Sequence, residues 1–342
     1  ILCAPPGAGK TTAIPIEVLK ARLNDGKIII LQPRRLAARA AADRMAAMLN
    51  QTVGETVGYR MKGNQKISLN TKIEVVTEGI LTRMIQNDPE LTGIGTIIFD
   101  EFHERSLNTD LGLAFSLEIA AVLRRDLYII VMSATLEADA ISKLLSNAPI
   151  IHSEGKRFPV NTIWLDRPRS KEVSFETGMK ELVLKGLREQ SGGMLAFLPG
   201  ELEIKTLAAM LKNELDSECD LHLLYGAMPF HQQHAAIKHQ KKGRKVVLAT
   251  SIAETSLTIE DIQIVVDGGK TRRLEFDAAS GMQQLITTNV SKHQARQRTG
   301  RAGRTAPGSC YRFWSLAEEG SLSLSSPAEM DVADLSSLAL DL

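Results

Sequence analysis

The chain has 342 residues, of which 44% are hydrophobic and 24% are charged, and its formal net charge is +1 at pH 7. The near-neutral charge excludes a strong overall field, so any site for a polyanion must be a local patch. No apolar run approaches the roughly 20 residues of a membrane-spanning helix. The three cysteines, Cys3, Cys219 and Cys310, are scattered, which predicts free thiols in a reducing compartment and hence a cytoplasmic protein.

Short apolar strands alternate with helical segments along the chain. The predicted strands, in order, are 27–33, 72–77, 96–101, 127–135, 193–199, 221–226, 245–251 and 262–269. They are nearly continuous in Val, Ile and Leu, which is typical of strands buried on both faces. Helical segments such as 35–49 and 201–215 lie between them. This alternation predicts an α/β protein with mainly parallel sheets and right-handed crossovers.

The strand–helix pattern runs twice, which predicts two domains. We expect a first domain over residues 1–150, a linker over 151–160 and a second domain over 161–316. The Ser-rich tail, residues 317–342, is expected to be the start of a further, truncated C-terminal helical domain. Because the chain opens within a strand, we also expect residues upstream of it.

The segment APPGAGKT, residues 4–11, follows a short apolar strand and precedes a helix. It fits the phosphate-loop pattern G-x-x-x-x-G-K-[ST], except that Ala4 stands where the pattern has its first glycine. Such a loop directs backbone N–H groups at phosphate, with the lysine on the β- and γ-phosphates and the hydroxyl on Mg²⁺. We expect Gly7 to supply the missing backbone freedom. The alternative to a nucleotide site is a chance glycine-rich turn. The predicted ATP-binding residues are Pro6, Gly7, Ala8, Gly9, Lys10, Thr11 and Thr12.

Two adjacent acids follow another apolar strand in TIIFDEFHERS, residues 96–106. In P-loop NTPases an acid at the end of a nearby strand helps to hold Mg²⁺, so Asp100 is predicted to share the ion with Thr11. Glu101 is predicted to lie near the metal and to polarise the water that attacks the γ-phosphate. A nucleotide kinase needs no second acid, because its acceptor is already positioned. The pair therefore favours hydrolysis over a kinase reaction. The alternative for the two acids is a solvated loop, which the apolar strand before them makes less favourable.

At this point the sequence resembles the DEAH-box helicases of superfamily 2. The phosphate loop and DEFH, residues 100–103, resemble motifs I and II of that family. Six further segments follow in the family's order: QPRRLAAR (32–39, Ia), TEG (77–79, Ib), SAT (133–135, III), FLPG (197–200, IV), ATSIAETSLTI (249–259, V) and QRTGRAGR (297–304, VI). Phe102 departs from the alanine of the family name. The DEFHERS and APPGAGK segments are most similar to the bacterial HrpB-type branch.

The resemblance implies two tandem RecA-like domains of the P-loop NTPase type, with ATP bound in the cleft between them. It also implies that RNA, single-stranded or structured, crosses both domains, with DNA as an alternative and with no membrane partner. By analogy with relatives, Arg44 is expected to lie against the adenine.

The segment 291–304 holds five basic residues and no acid: Lys292, Arg296, Arg298, Arg301 and Arg304. One interpretation is a solvated or phosphate-steering basic helix. The other is that Arg301 and Arg304 reach the γ-phosphate across the cleft, where guanidinium groups stabilise the transferring phosphoryl group. By resemblance, Gln297 would position the attacking water together with Glu101.

Three residues are candidates for coupling ATP to domain movement: His103, Ser133 and Thr135. His103 could hydrogen-bond towards the second domain, and the two hydroxyls lie beside the acidic loop. The alternative for the hydroxyls is that they cap the helix predicted at 137–145. The sequence leaves both interpretations open.

Candidate nucleic-acid contacts lie where strands end, at the edge of a parallel sheet that usually binds ligands. They are Arg34, Arg35, Thr77 and Gly79 in the first domain, and Thr250 and Ser251 in the second. By resemblance, the motifs that carry them lie along the RNA. Contacts to phosphate position a strand without reading its sequence.

Residues 271–290 interrupt the strand–helix alternation. Two short stretches flank DAASG, residues 277–281, which predicts a β-hairpin. By pattern alone it is as easily an ordinary surface hairpin. In DEAH relatives a hairpin between motifs V and VI acts as a wedge, and the resemblance implies that role here.

The leading hypothesis is an ATP-dependent helicase or translocase that hydrolyses ATP to ADP and phosphate in order to move on or unwind RNA. A second is a nucleotide-gated RNA clamp or RNP remodeller without processive unwinding. A third is a P-loop kinase, which has no use for Arg301 and Arg304.

Overall fold

The computed structural model describes residues 1–341 with gaps at 6, 135–137, 156–157, 171, 239–242, 255–258 and 260. The chain divides into two compact units. The first comprises Ile1–Gly155 and Ala328–Met330, and the second comprises Lys156–Pro327 and Asp331–Leu342. Within the tail, which was expected to begin a further domain, residues 328–330 group with the first unit and the rest groups with the second.

The first unit is built on one eight-stranded sheet. Its strands are β1 (Leu2–Cys3), β2 (Lys27–Gln32), β3 (Val57–Met61), β4 (Asn64–Lys66), β5 (Ile73–Thr77), β6 (Ile94–Phe99), β7 (Tyr128–Ser133) and β8 (Ile151–His152). They lie in the order β4-β3-β5-β2-β6-β7-β1-β8. The β3–β4 pair is antiparallel, and the other pairs are parallel. Strand β8 begins inside the segment expected to be a linker.

Five helices accompany this sheet among the described residues. They are α1 (Lys10–Ala21), α2 (Arg35–Met48), α3 (Glu78–Asn87), α4 (Leu107–Val122) and α5 (Ala138–Leu144). Successive residues of β2 enter opposite cores: Ile30 packs with Met45 of α2, and Leu31 packs with Leu81 of α3 and Leu113 of α4. Both faces of the sheet are therefore covered, which explains why the central strands β2 and β6 are mostly apolar.

The second unit contains a six-stranded sheet and a separate hairpin. Its strands are β9 (Val160–Leu165), β10 (Gly193–Phe197), β11 (Cys219–Leu224), β12 (Arg244–Ala249), β13 (Ile262–Asp267), β14 (Lys270–Asp277), β15 (Met282–Asn289) and β16 (Gly308–Ser315). The sheet has the order β11-β12-β10-β13-β16-β9, and β14 pairs only with β15. All neighbours in the sheet are parallel, and the hairpin is antiparallel.

The helices described in the second unit are α6 (Phe175–Glu189), α7 (Glu201–Leu211), α8 (Phe230–Ile237), α9 (Lys292–Thr299), α10 (Leu316–Glu319) and α11 (Ser336–Asp341). Met179 and Val183 of α6 and Leu207 of α7 pack on one face of the sheet. None of the helices in the described part of the chain is both long and apolar enough to cross a membrane.

The predicted fold class, two α/β parts with mainly parallel sheets, is confirmed. Each of the eight predicted strands corresponds to a strand of the structure. The sequence did not predict β3, β4, β8, β9 or β16. Strand β16 is almost wholly buried but carries Arg312 and Ser309 in its interior, so it lacks the continuous apolar run by which the other central strands were recognised.

Candidate active site

The loop between β1 and α1 has the backbone geometry of a phosphate-binding loop. Gly7 and Gly9 have φ angles of 86° and 78°, values that other residues rarely adopt. Ala4 precedes this turn and is buried in the sheet, where its N–H donates to the carbonyl of Ser133 at 3.1 Å. The backbone freedom therefore lies at Gly7, and the alanine at position 4 is compatible with the loop.

Lys10, the first residue of α1, directs its ammonium group back under the loop. The side chain is 4% exposed, and Nζ lies 3.4 Å from both the carbonyl oxygen of Ala4 and Oε2 of Glu101. The lysine is thus paired with one of the two predicted acids in this structure. Pro6, which was also predicted to contact ATP, lies outside the described residues.

Asp100 follows β6 and is only 1% exposed. Its Oδ2 accepts hydrogen bonds from the Thr11 hydroxyl, at 2.5 Å, and from the side-chain amide of Gln32. Its Oδ1 accepts from the N–H of Glu101 at 2.9 Å. The sequence did not predict Gln32, although an amide at the end of the otherwise apolar β2, next to β6 in the sheet, is a recognisable signal.

Two carboxylates and one ammonium are buried together here. Burial, followed by the charge of Glu101, raises the pKa of Asp100, while Lys10 and the hydrogen bond from Thr11 lower it. Removing charge from water is costly. The site therefore favours an additional cation beside its two acids.

Glu101 and His103 lie on a single turn of 3-10 helix, Phe102–Glu104, and its flanks. The N–H of Ala134, which follows β7, donates to Nδ1 of His103 at 3.3 Å. This fixes Nδ1 as an acceptor and leaves Nε2 facing Oε2 of Glu101 at 3.5 Å. His103 thus links the acidic loop to the SAT segment of its own unit. Ser133 is buried at the end of β7, and Thr135 lies outside the described residues.

The candidate RNA contacts of the first unit lie at the same, carboxyl edge of its sheet. Arg34 immediately precedes α2 and pairs with Glu104 at 3.3 Å. Arg35 is exposed and donates to the carbonyl of Lys62 at 3.2 Å. Thr77 ends β5, and a Cβ added to exposed Gly79 would meet no atom within 4 Å. Gly79 therefore leaves room for close approach by a ligand.

In the second unit, α9 begins with a capping box formed by Ser291 and Gln294. The amide nitrogen of Gln297 lies 2.8 Å from Nε2 of His293. Arg301 is 3% exposed and donates from Nε to the carbonyl of Glu254 at 2.9 Å. Arg304 follows in the turn after α9. The roles predicted for Gln297 at the attacking water, and for Arg301 and Arg304 at the γ-phosphate, stay predictions.

For Arg298, the expectation of a solvated or phosphate-steering basic residue was wrong. It is fully buried and its guanidinium lies 4.9 Å from the ring centre of Phe197. It pairs with Glu254 at 2.5 Å and with Asp267 at 2.7 Å, and it donates to the carbonyl of Lys270 at 3.2 Å. Burial alone would lower the pKa of Arg298, but the two acids outweigh it and raise the pKa. The residue joins motifs V and VI to the start of the hairpin.

The remaining candidates occupy simpler positions. Thr250 and Ser251 follow β12 at the carboxyl edge of the second sheet. Arg44 lies exposed on α2. The hairpin exposes Leu274 and Leu285, which are direct cross-strand partners, to 54% and 61%.

Comparison with known proteins identifies the class to which this fold and site belong. Residues 1–144 match the DEAD/DEAH box helicase family, and residues 177–306 match the helicase conserved C-terminal domain. The chain therefore belongs to the DEAD/DEAH-box helicases.

Its likeness to particular members is strong. It is 46% identical to the ATP-dependent RNA helicase HrpB of Escherichia coli, over 100% of this chain and 42% of that protein. It is 39% identical to the ATP-dependent RNA helicase HrpA of Borreliella burgdorferi, over 92% of this chain and 38% of that protein. The crystal structure of the Escherichia coli DEAH/RHA helicase HrpB matches with a TM-score of 0.94 and 45% identity, over 99% of this chain and 43% of that chain. The chain thus spans less than half the length of these relatives.

Proposed function

We propose that this chain is the ATP-hydrolysing motor of an RNA helicase of the HrpB type. The observation that carries the proposal is the junction of the phosphate loop with the two buried acids through Thr11–Asp100 and Lys10–Glu101. The relatives named above are ATP-dependent RNA helicases, which supports the same activity. The three cysteines are free thiols, which supports a cytoplasmic location.

ATP is held by the loop and by the first turn of α1. The N–H groups of residues 7–12 surround the phosphates, and Lys10 exchanges its contact with Glu101 for the β- and γ-phosphates. Thr12 closes the first turn by donating to the carbonyl of Gly9 at 3.3 Å, and Arg44 lies against the adenine.

The residues present fit Mg²⁺, which prefers oxygen ligands and usually binds through one or two carboxylates plus phosphates. Thr11 and Asp100 offer adjacent oxygens, and the two buried acids outnumber the single charge of Lys10. Thr11 and Asp100 would therefore hold the ion, together with oxygens of the nucleotide phosphates and water. When bound, Mg²⁺ supplies positive charge to the β- and γ-phosphates.

Glu101 accepts the proton of the attacking water, and His103 orients its carboxylate through the Nε2 side of the ring. Gln297 positions the same water. Arg301 and Arg304 neutralise charge that develops on the γ-phosphoryl group, a role that contributes about 10³–10⁵ in rate in related phosphoryl transfers. Ser133, Thr135 and His103 transmit the state of the nucleotide to the RNA-binding loops.

RNA follows the carboxyl edges of the sheets. Arg34, Arg35, Thr77 and Gly79 contact its backbone in the first unit, and Thr250 and Ser251 do so in the second. Because these contacts are to phosphate and sugar, affinity should fall with salt and depend little on sequence.

The β14–β15 hairpin is the wedge that separates strands. Its support is the exposed apolar pair Leu274 and Leu285, which offers a surface on which an unpaired base can stack. Deleting residues 275–286 should abolish unwinding of a tailed RNA duplex while ATP hydrolysis remains. Unwinding that persists in the deletion variant would show that the hairpin is not the wedge, whereas a parent protein that hydrolyses ATP without unwinding the duplex would favour a clamp.

The whole proposal is tested by ATP hydrolysis with and without single-stranded RNA. We expect hydrolysis that RNA stimulates and that Lys10→Ala abolishes through loss of nucleotide binding. Lys20→Ala is the matched control, since Lys20 is exposed and pairs with Glu17 at the far end of the same helix. Absence of stimulation at every salt concentration would contradict an RNA-driven motor.

A further inference from the structure

A short piece of the tail returns to the acidic loop. Residues 328–330 belong to the first unit, whereas the chain immediately before and after them belongs to the second. The central residue, Glu329, begins a single turn of 3-10 helix, Glu329–Asp331. The sequence offered no signal for this arrangement beyond a Ser-rich segment ending in Pro327.

Glu329 contacts the backbone on both sides of Ser106, the N-cap of α4. Its N–H donates to the carbonyl of Arg105 at 3.2 Å. Its Oε2 accepts from the N–H of Leu107, the first residue of α4, at 2.9 Å. Ser106 itself accepts from the N–H of Thr109, so the serine and Glu329 satisfy different N–H groups at the start of the helix.

The backbone at this place is unusual. Glu101 and Arg105 have φ angles of 52° and 50°, a left-handed conformation that is costly for residues other than glycine. They flank the 3-10 turn that carries His103. Such conformations persist only where their surroundings hold them. The contacts that hold Arg105 include the pairing of its side chain with Asp110 at 3.0 Å and the hydrogen bond that its carbonyl accepts from Glu329.

We propose that Glu329 is a positioning residue for ATP hydrolysis. By its hydrogen bonds at the start of α4, it holds the backbone of the loop that carries Glu101 and His103 in place. The inference rests on the proposed function. We call the two hydrogen bonds of Glu329, to Arg105 and Leu107, the tether. Through the tether, the position of the loop depends on the conformation of the tail on either side of residues 328–330. A change in the conformation of this tail alters the two hydrogen bonds, and with them the placement of the carboxylate of Glu101.

The test compares Glu329→Ala, Glu329→Gln and the control Asp331→Asn, which removes a neighbouring exposed acid of the same turn. In Glu329→Ala we expect amide hydrogen exchange of residues 102–109 to be about tenfold faster. We expect kcat to fall about three- to tenfold with KM for ATP unchanged. Glu329→Gln keeps an acceptor oxygen and should restore most of both values, while Asp331→Asn should match the parent protein.

The outcomes separate this inference from the proposed function. A parent protein without ATP hydrolysis overturns the function, while hydrogen exchange still tests the tether. Unchanged exchange in Glu329→Ala overturns the tether. Faster exchange with unchanged kcat overturns the positioning role, as does a change confined to KM or to the midpoint of thermal unfolding. If the alanine variant is unstable, the same two measurements on Glu329→Gln and Asp331→Asn decide. A small change in Glu329→Gln that is absent from Asp331→Asn supports the positioning role, and equal values in the two variants overturn it.

Discussion

The hydroxyl of Thr11 donates a 2.5 Å hydrogen bond to Oδ2 of Asp100. Thr11 lies in the first turn of α1, and Asp100 directly follows β6, which is separated from β1 by β7 in the sheet. The contact fixes the relative position of the nucleotide loop and the acidic loop before any ligand binds. Preorganisation of this kind lowers the cost of assembling a catalytic site.

Glu101→Gln should retain ATP binding and lower kcat by about 10²-fold or more, because a positioned proton acceptor is lost. The amide keeps the size of the side chain and removes its basicity together with the negative charge that pairs with Lys10. Single-turnover hydrolysis and titration with a fluorescent ATP analogue separate the two effects. Glu118→Gln, at an exposed position on α4, should leave both unchanged, and near-parental hydrolysis by Glu101→Gln would assign the base elsewhere.

Arg301→Ala should lower kcat by at least about 10²-fold with little change in ATP affinity, since its charge acts on the transition state. The residue also donates to the carbonyl of Glu254, so the midpoint of thermal unfolding must be measured for the same variant. Arg296→Ala, on the exposed side of α9, is the matched control. Equal ATPase rates in the Arg301 variant and the parent would falsify the proposed role of Arg301 at the γ-phosphate.

Arg298→Met should reduce the free energy of unfolding by about 3–5 kcal/mol, because Glu254 and Asp267 would remain buried without their cation. Urea unfolding measures the change. Arg296→Met, in which the lost guanidinium was exposed, should cost far less. Similar losses in the two variants would contradict the structural role of the buried triad.

Glu78 predicts a pH dependence of stability. Burial is the largest cause that raises its pKa to about 7, against hydrogen bonds from Ser106 and Thr109 that lower it. Since the folded-state pKa exceeds the unfolded value of about 4.5, the folded state binds more protons between the two values. Stability from this group is therefore complete below pH 4.5 and declines as the pH rises towards 7.

The full decline amounts to about 3–4 kcal/mol, at roughly 1.4 kcal/mol for each unit of pKa. Glu78→Gln has no such proton to lose, so its stability relative to the parent should increase over the same interval. Urea unfolding at pH 5 and pH 7.5 measures the difference, with Glu118→Gln as the control. A constant difference between Glu78→Gln and the parent would show that Glu78 titrates normally.

Gly79→Ala should act in opposite directions on stability and on RNA binding. Alanine has the better helix propensity, worth up to about 1 kcal/mol, and its Cβ meets no protein atom. If RNA approaches the backbone here, the added methyl group should weaken binding about tenfold, or by about 1.4 kcal/mol. Fluorescence anisotropy with a labelled oligonucleotide measures the affinity, and Gln86→Ala, an exposed change in the same helix, is the control. Unchanged affinity in a stabilised Gly79→Ala protein would remove this residue from the RNA path.

The central strands were predictable because each is buried on both faces, so that almost every residue must be apolar. Strand β16 was not, because its buried Arg312 is satisfied by Glu319, which belongs to α10. Polar residues of this kind become acceptable in a core only through partners that the fold supplies.

Local chemistry was determined by the sequence alone: the phosphate loop at Gly7–Thr11, the acids at Asp100 and Glu101, and the order of the motifs. These features depend on residues close together in the chain, and the residue types alone show which backbone conformations and which hydrogen-bonding groups are present. The tertiary structure decided which charges are structural and which are available. Arg298 lies in a segment of five basic residues, yet the packing of Glu254 and Asp267 around it makes it the cation of a buried cluster of three charges. Glu329 likewise gains its contacts with Arg105 and Leu107 only because the folded chain brings together segments more than 200 residues apart.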